Sequence, residues 1–192
     1  ATFSNLAAGN YNIKARIQSS PTCATTYGTP IVFSSPFSAT TIDTWTGCVS
    51  TDWATAGNWQ DGSVPTATDD VNIPNVTNDP VIGAGTAAVA KSVLVLGGAV
   101  LTINATGSLA INGAVSPRHG LDNYGTLDNS GTIRVGNTSA VGAIGIIHRN
   151  GGTFNNKSGG TIYVDQTGSG EAFYTSGLVN NEYEATIEIG SN

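Results

Sequence analysis

Four short segments of this chain superimpose on one another: GSLAING at 107–113, GTIRVGN at 131–137, GTIYVDQ at 160–166 and ATIEIGS at 185–191, with starts 24, 29 and 25 residues apart. Each carries apolar residues two apart, Leu109/Ile111, Ile133/Val135, Ile162/Val164 and Ile187/Ile189, which is the period of a strand with one buried face. Self-similarity at a period of roughly 20–50 residues marks a chain that coils and stacks its turns. Upstream of each unit lies a second one: GAVLTIN at 98–104, NYGTLDN at 123–129, NGGTFNN at 150–156 and SGLVNN at 176–181. Before those come SVLVL at 92–96, GLD at 120–122, IGIIH at 144–148 and EAFY at 171–174. One turn therefore holds three strands, separated by Asn/Gly corners that tolerate positive φ.

A single turn cannot bury its apolar residues, whereas stacked turns share one continuous core. The fold expected is all-β: a right-handed parallel β-solenoid (β-helix) of about four coils across roughly 90–190. A β-sandwich also has many short strands, but it does not repeat them in register. Leu109, Ile133, Ile162 and Ile187 are expected in one inward stack, with Leu127 and Phe154 in a second. Asn123, Asn150 and Ser176 align at one corner, and Asn129, Asn156 and Asn181 at another. Stacked amides there would hydrogen-bond along the axis and satisfy backbone groups at the bend. A polar ladder that binds sugar is the competing reading.

Charged residues are only 10% of the 192, against 39% hydrophobic, a balance that excludes a disordered chain. A net charge of −6 argues against nucleic acid or an anionic membrane as partner. No apolar run approaches the ~20 residues that span a bilayer, so membrane insertion is not expected. The chain opens at Ala1 and has no Met, so it reads as a processed form or a piece of something longer.

Near the start, Tyr11, Ile13, Ala15 and Ile17 alternate with Asn12, Lys14, Arg16 and Gln18, which predicts a half-buried strand. A second strand at 29–34 is expected to pair back onto it. The spacing Leu6-x-x-Gly9-x-Tyr11 resembles the tyrosine corner of immunoglobulin-like and fibronectin-type sandwiches. By that resemblance residues 1–40 are a β-hairpin, the remnant or partner of an immunoglobulin-like domain, and 41–192 are the solenoid.

Between these parts lie Trp45-Thr-Gly47, Ser50-Thr-Asp-Trp53, Asn58-Trp59, Gly62-Ser-Val-Pro65, Asp69-Asp-Val-Asn-Ile-Pro74 and Pro80-Val-Ile82. The stretch over about 44–113 resembles a motif of very large secreted surface adhesins of Bacteroidetes-type bacteria, where it begins a parallel β-helix. The resemblance implies a Trp-rich cap at 44–82, in which Trp45, Trp53 and Trp59 cover the open end of the core. An aromatic platform for carbohydrate is the alternative role for the three indoles. The resembled motif carries a small residue where Cys48 stands. An exported chain with two cysteines is usually bridged, so a Cys23–Cys48 disulfide is expected to staple hairpin to cap.

Catalytic chemistry is thinly represented. His119 and His148 stand in no Ser/His/Asp order and no metal-ligand spacing, and Asp122, Asp128 and Asp165 align to different faces of the coil. A glycosidase needs two carboxylates about 5–10 Å apart across a cleft, and the sequence identifies no such pair. The Asp69-Asp70 pair reads as a capping turn rather than a Ca²⁺ site. No catalytic, cofactor or metal residues are assigned. The reading is a non-enzymatic module of a secreted, cell-surface adhesin or fibre, self-associating or joined to neighbouring domains, with surface glycans as a further partner. The alternative is a carbohydrate-binding or polysaccharide-degrading β-helix of a secreted enzyme.

Overall fold

The computed structural model describes residues 9–13, 31–35, 42–114, 117–136, 144–165 and 171–190, the first two segments as backbone. The chain divides into two units, Ala1–Thr40 and Thr41–Asn192. In the first, β1 (Gly9–Ile13) and β2 (Ile31–Ser35) pair antiparallel with Tyr11 opposite Phe33. The pairing is the one the alternation predicts, although β1 starts two residues earlier and positions 14–17 lie outside the described residues.

The second unit opens with β3 (Ile42–Thr44). Five coils of three strands follow. The first is β4 (Asp70–Ile73), β5 (Val81–Ile82) and β6 (Ala87–Ala90), and the second is β7 (Ser92–Val95), β8 (Val100–Ile103) and β9 (Ser108–Ile111). The third is β10 (Leu121–Asn123), β11 (Thr126–Asn129) and β12 (Thr132–Val135). The fourth is β13 (Ile146–His148), β14 (Thr153–Asn156) and β15 (Thr161–Val164), and the fifth is β16 (Phe173–Thr175), β17 (Val179–Asn181) and β18 (Thr186–Ile189). Corresponding strands stack into three parallel sheets: β3-β4-β7-β10-β13-β16, β5-β8-β11-β14-β17 and β6-β9-β12-β15-β18. The molecule is a parallel β-solenoid, with no α-helix among the described residues.

There are five coils, not about four. The extra one, β4 to β6, falls inside and just after the stretch expected to be cap. Its middle strand is two residues long and its third is AAVA, so it lacks both the Gly-led entry and the large apolar pairs that mark the later repeats.

Inward residues stack in register. On the third sheet Ala88, Leu109, Ile133, Ile162 and Ile187 form one column, and Ala90, Ile111, Val135, Val164 and Ile189 the next. On the second sheet Leu101, Leu127, Phe154 and Val179 line up. Leu109, Ile133, Ile162, Leu127 and Phe154 are all fully buried, whereas Ile187 is only partly so and Ile189 is exposed. Among the described residues the fifth coil has a neighbouring coil on one side only, and its apolar residues are only partly covered. Glycine leads the third-sheet strands because coils approach closely there: a Cβ on Gly131 would run into the carbonyl oxygens of Gly107 and Asn104.

Candidate functional site

The first candidate is the Trp-rich segment. Trp45, Trp53 and Trp59 are 0–1% exposed and meet edge to face, Trp59 lying 5.0 Å from Trp45 and 4.7 Å from Trp53 by ring centroid. The Trp45 indole N–H donates to Asn78 O at 2.7 Å and that of Trp59 to Trp53 O at 2.8 Å. Indoles this buried offer no face to a sugar, which removes the aromatic-platform reading. Backbone from the same segment closes the sheets: Val81 N donates to Thr51 O, Trp53 N donates to Val81 O, and β3 covers the edge of β4.

Asn58 organises this loop, a role its place in the Asn58-Trp59 pair did not reveal. Wholly buried, it accepts from the N–H groups of Val49 (2.8 Å) and Ser50 (2.9 Å) and donates to Asp52 O (2.8 Å) and Ser50 Oγ (3.0 Å). All four hydrogen-bonding capacities of the amide are used. Cys48 is half-buried in the same loop, while Cys23 lies outside the described residues, and with it the expected bridge.

Asp43 is the least expected cap residue. It stands opposite Val71 in the inward column of the first sheet, is 2% exposed, and its Oδ1 has no hydrogen-bond partner among the described residues. Burial pushes its carboxyl up to about 7, and the charges of Asp61 and Asp69 act in the same direction. Nothing in Ile42-Asp-Thr44 distinguishes this acid from a solvated one. Asp69 accepts from Thr66 N (2.8 Å) and Oγ1 (2.7 Å) as a capping turn, whereas Asp70 faces Lys91 and Arg118.

The second candidate is the pair of polar ladders. At the inner corner, Asn129 Nδ2 donates to Asn156 Oδ1 and Asn156 Nδ2 to Asn181 Oδ1, both at 2.8 Å, and Asn129 Oδ1 closes its own bend by accepting from Gly131 N. Asn129 and Asn156 are wholly buried, so these two hold the corners and offer nothing to a ligand, whereas Asn181 is exposed. The other predicted Asn column does not form. Asn123 lies level with His148 and Thr175, not with Asn150 and Ser176. Four residues separate His148 from Thr153, where only two separate Asn123 from Thr126, so the corner bulges and carries Asn150 out to solvent. Asn123 instead contacts His148 Nδ1 at 3.2 Å and donates to Thr153 O at 3.0 Å. His148 is 0% exposed and its Nε2 has no partner among the described residues; burial holds the imidazole below its ordinary range.

An outward ladder runs on the second sheet from Asn180 to Asn155 Oδ1 (2.8 Å) and from Asn155 to Asp128 Oδ1 (2.7 Å), with Lys157 Nζ on Asp128 Oδ2 at 2.8 Å. Burial raises the Asp128 carboxyl, but the hydrogen bonds from Lys157 and Asn155 outweigh it and leave it below the usual carboxylate range. Asp122 meets Arg149 through both oxygens (2.9 and 3.0 Å), and Asp165 meets Arg134 at 2.8 Å. Arg134 also lies over the Tyr163 ring at 4.3 Å. Each outward aspartate of the middle coils is thus paired with a cation of an adjacent coil. Glu182 and Glu184 lie in the turn before β18, Glu182 accepting from Ser158 N at 3.0 Å. Among the described residues no three His, Cys, Asp or Glu side chains are grouped to hold a metal, and no helix is long and apolar enough to cross a membrane.

A family model described as a domain of unknown function (DUF8693) matches residues 44–158, more than half of the chain and spanning the Trp cap and the first four coils as far as β14. No curated protein and no solved structure matches the chain.

Proposed function

We propose, for a chain that belongs to the DUF8693 family, that it is a non-enzymatic structural and adhesive module, displayed outside the cell on a bacterial surface protein or fibre. One observation carries the reading. Asp122, Asp128 and Asp165, the outward carboxylates of the middle coils, are each bound by a cation of a neighbouring coil at 2.8–2.9 Å. A carboxylate held by an ion pair stays ionised and serves poorly as general acid, whereas pairs between successive coils tie them together along the axis. The resemblance of the Trp segment to surface adhesins supports the location. The Cys23–Cys48 bridge is part of the same proposal and rests on the even cysteine count.

The proposal extends to end-on association between copies. Strands β16, β17 and β18 are each terminal in their sheets among the described residues, and their coil exposes Leu178, Tyr183 and Ile189. Open strand edges of this kind accept further strands. The test is a panel of polysaccharides incubated with the protein and assayed for reducing ends and unsaturated products. No release is expected. Turnover that disappears in Asp122→Asn or Asp128→Asn would overturn the structural reading in favour of a polysaccharide-degrading β-helix.

A further inference from the structure

A cavity of about 220 Å³ opens on the first sheet, lined by Ser92, Leu94, Pro117, Arg118, His119 and Asp122 among others. The segment before β10 makes it by folding Arg118 back across the rungs. Arg118 Nε donates to Ser92 Oγ at 2.7 Å, and Nη2 donates to Asn72 Oδ1 at 2.8 Å and Val71 O at 3.2 Å. No hydrogen bond engages Nη1 among the described residues. The carboxylate opposite, Asp70, is shared: Arg118 lies 3.5 Å from it, Lys91 lies 3.6 Å from it, and the Ser92 hydroxyl donates to it as well. On the other wall Asp122 is fully engaged by Arg149.

The charges do not cancel. Lys91, Arg118 and Arg149 face Asp70 and Asp122, three positive against two negative, in a chain whose net charge is −6 and which has only 7 Lys and Arg in all. A structural pair needs no surplus cation, and elsewhere in the solenoid Arg134 and Lys157 each have their own aspartate. His119 Nδ1, also at this cavity, is buried with no partner among the described residues. A surplus guanidinium with Nη1 unengaged beside an open cavity suits an anion, because charge-assisted hydrogen bonds from Arg to a carboxylate are among the strongest available. The volume is below the roughly 300–1,000 Å³ of sites for drug-sized ligands, so it accommodates one small unit. Pro117 and Leu94 supply an apolar wall for C–H groups.

We propose that this cleft binds a small organic carboxylate, with Arg118 taking the carboxylate through Nη1 and Pro117 and Leu94 packing on its C–H groups. The assignment goes beyond the scaffold role, since the stacking of coils requires no ligand. The same chemistry is offered by a free sugar acid and by an acidic sugar within a polymer. The test is an NMR titration of the ¹⁵N-labelled full chain with glucuronate, with glucose as the neutral counterpart, and with an oligosaccharide containing glucuronate. Saturable shifts centred on 92–94 and 117–122 are expected with glucuronate and not with glucose. Tighter binding of the oligosaccharide assigns the carboxylate to a polymer, and equal binding to the free acid. Arg118→Gln should weaken binding about tenfold or more, the equivalent of one lost ionic contact, whereas Arg134→Gln should leave it unchanged. Equal shifts with glucose, shifts scattered over the surface, or none at all would overturn the proposal. Should Arg118→Gln fail to fold, the wild-type shift map and the glucose comparison decide the matter alone.

Discussion

Ile133 and Ile162 occupy identical environments one coil apart, with a large apolar neighbour above and below and no exposure. Replacing either with Ala should cost about 2–5 kcal/mol, the range for a buried Ile that leaves a cavity. Ile187, one coil further along and only partly buried, should cost clearly less. Chemical denaturation of the three variants checks the order, and equal losses would mean that the column does not end where it is seen to. Asp43 predicts a pH effect of definite sign. Its folded-state value of about 7 lies above the ordinary 3.8, so the folded form binds the proton more tightly. The stability it contributes is fully present below about pH 4 and is lost as pH rises through 7, a swing of roughly 4 kcal/mol at most. Melting of the Asp43→Asn variant should lose this slope between pH 4 and 8. A variant whose melting temperature follows the wild-type curve across that range would show that Asp43 is not the group responsible.

The cap is a separate element with its own logic. Trp59 touches both other indoles and its N–H holds the Trp53 carbonyl, so Trp59→Ala removes two aromatic contacts and orphans a buried acceptor. A loss of about 3–5 kcal/mol is expected, concentrated at the N-terminal end of the solenoid. Hydrogen exchange should therefore rise in β3 and β4 before it rises in β14 and β15; a uniform increase would argue that the coils unfold as one unit. The inner Asn ladder is the matching element at the corners. Asn156→Ala deletes a donor to Asn181 and the acceptor for Asn129, leaving the buried Asn129 Nδ2 with only a 3.4 Å contact to Thr161 O, at a cost of about 1–3 kcal/mol.

For the whole molecule, the prediction concerns its ends. The 192-residue chain should sediment as species that grow with concentration, because among the described residues the strands of the fifth coil are terminal in their sheets, and Leu178 and Ile189 are exposed. Leu178→Asp combined with Ile189→Asp should return it to monomer, and a wild-type chain monomeric at high concentration would refute end-on association. The disulfide is tested on the same sample. Denatured, unreduced protein should take up no alkylating agent, and labelled thiols would refute the bridge.

The solenoid was legible in the sequence because coil stacking forces equivalent residues to recur, so the pairs Leu109/Ile111, Ile133/Val135 and Ile162/Val164 announce strand, face and neighbour together. The Asn129–Asn156–Asn181 corner was readable for the same reason. The first coil was not, since small residues fill a rung whose outer neighbour is the cap and leave no repeat to detect. Nor was the displacement of Asn150, because corner length varies freely while strand register does not. Asp43, Asn58 and the Arg118–His119 cleft depended wholly on tertiary structure. Their properties come from which distant backbone and side-chain groups surround them: Val71 and Asp61 for Asp43, the 49–52 loop for Asn58, and strands β4 and β7 for Arg118. Periodicity records a residue's own face, but burial of a charge and the convergence of groups are set by neighbours remote in sequence, and only the folded chain decides them.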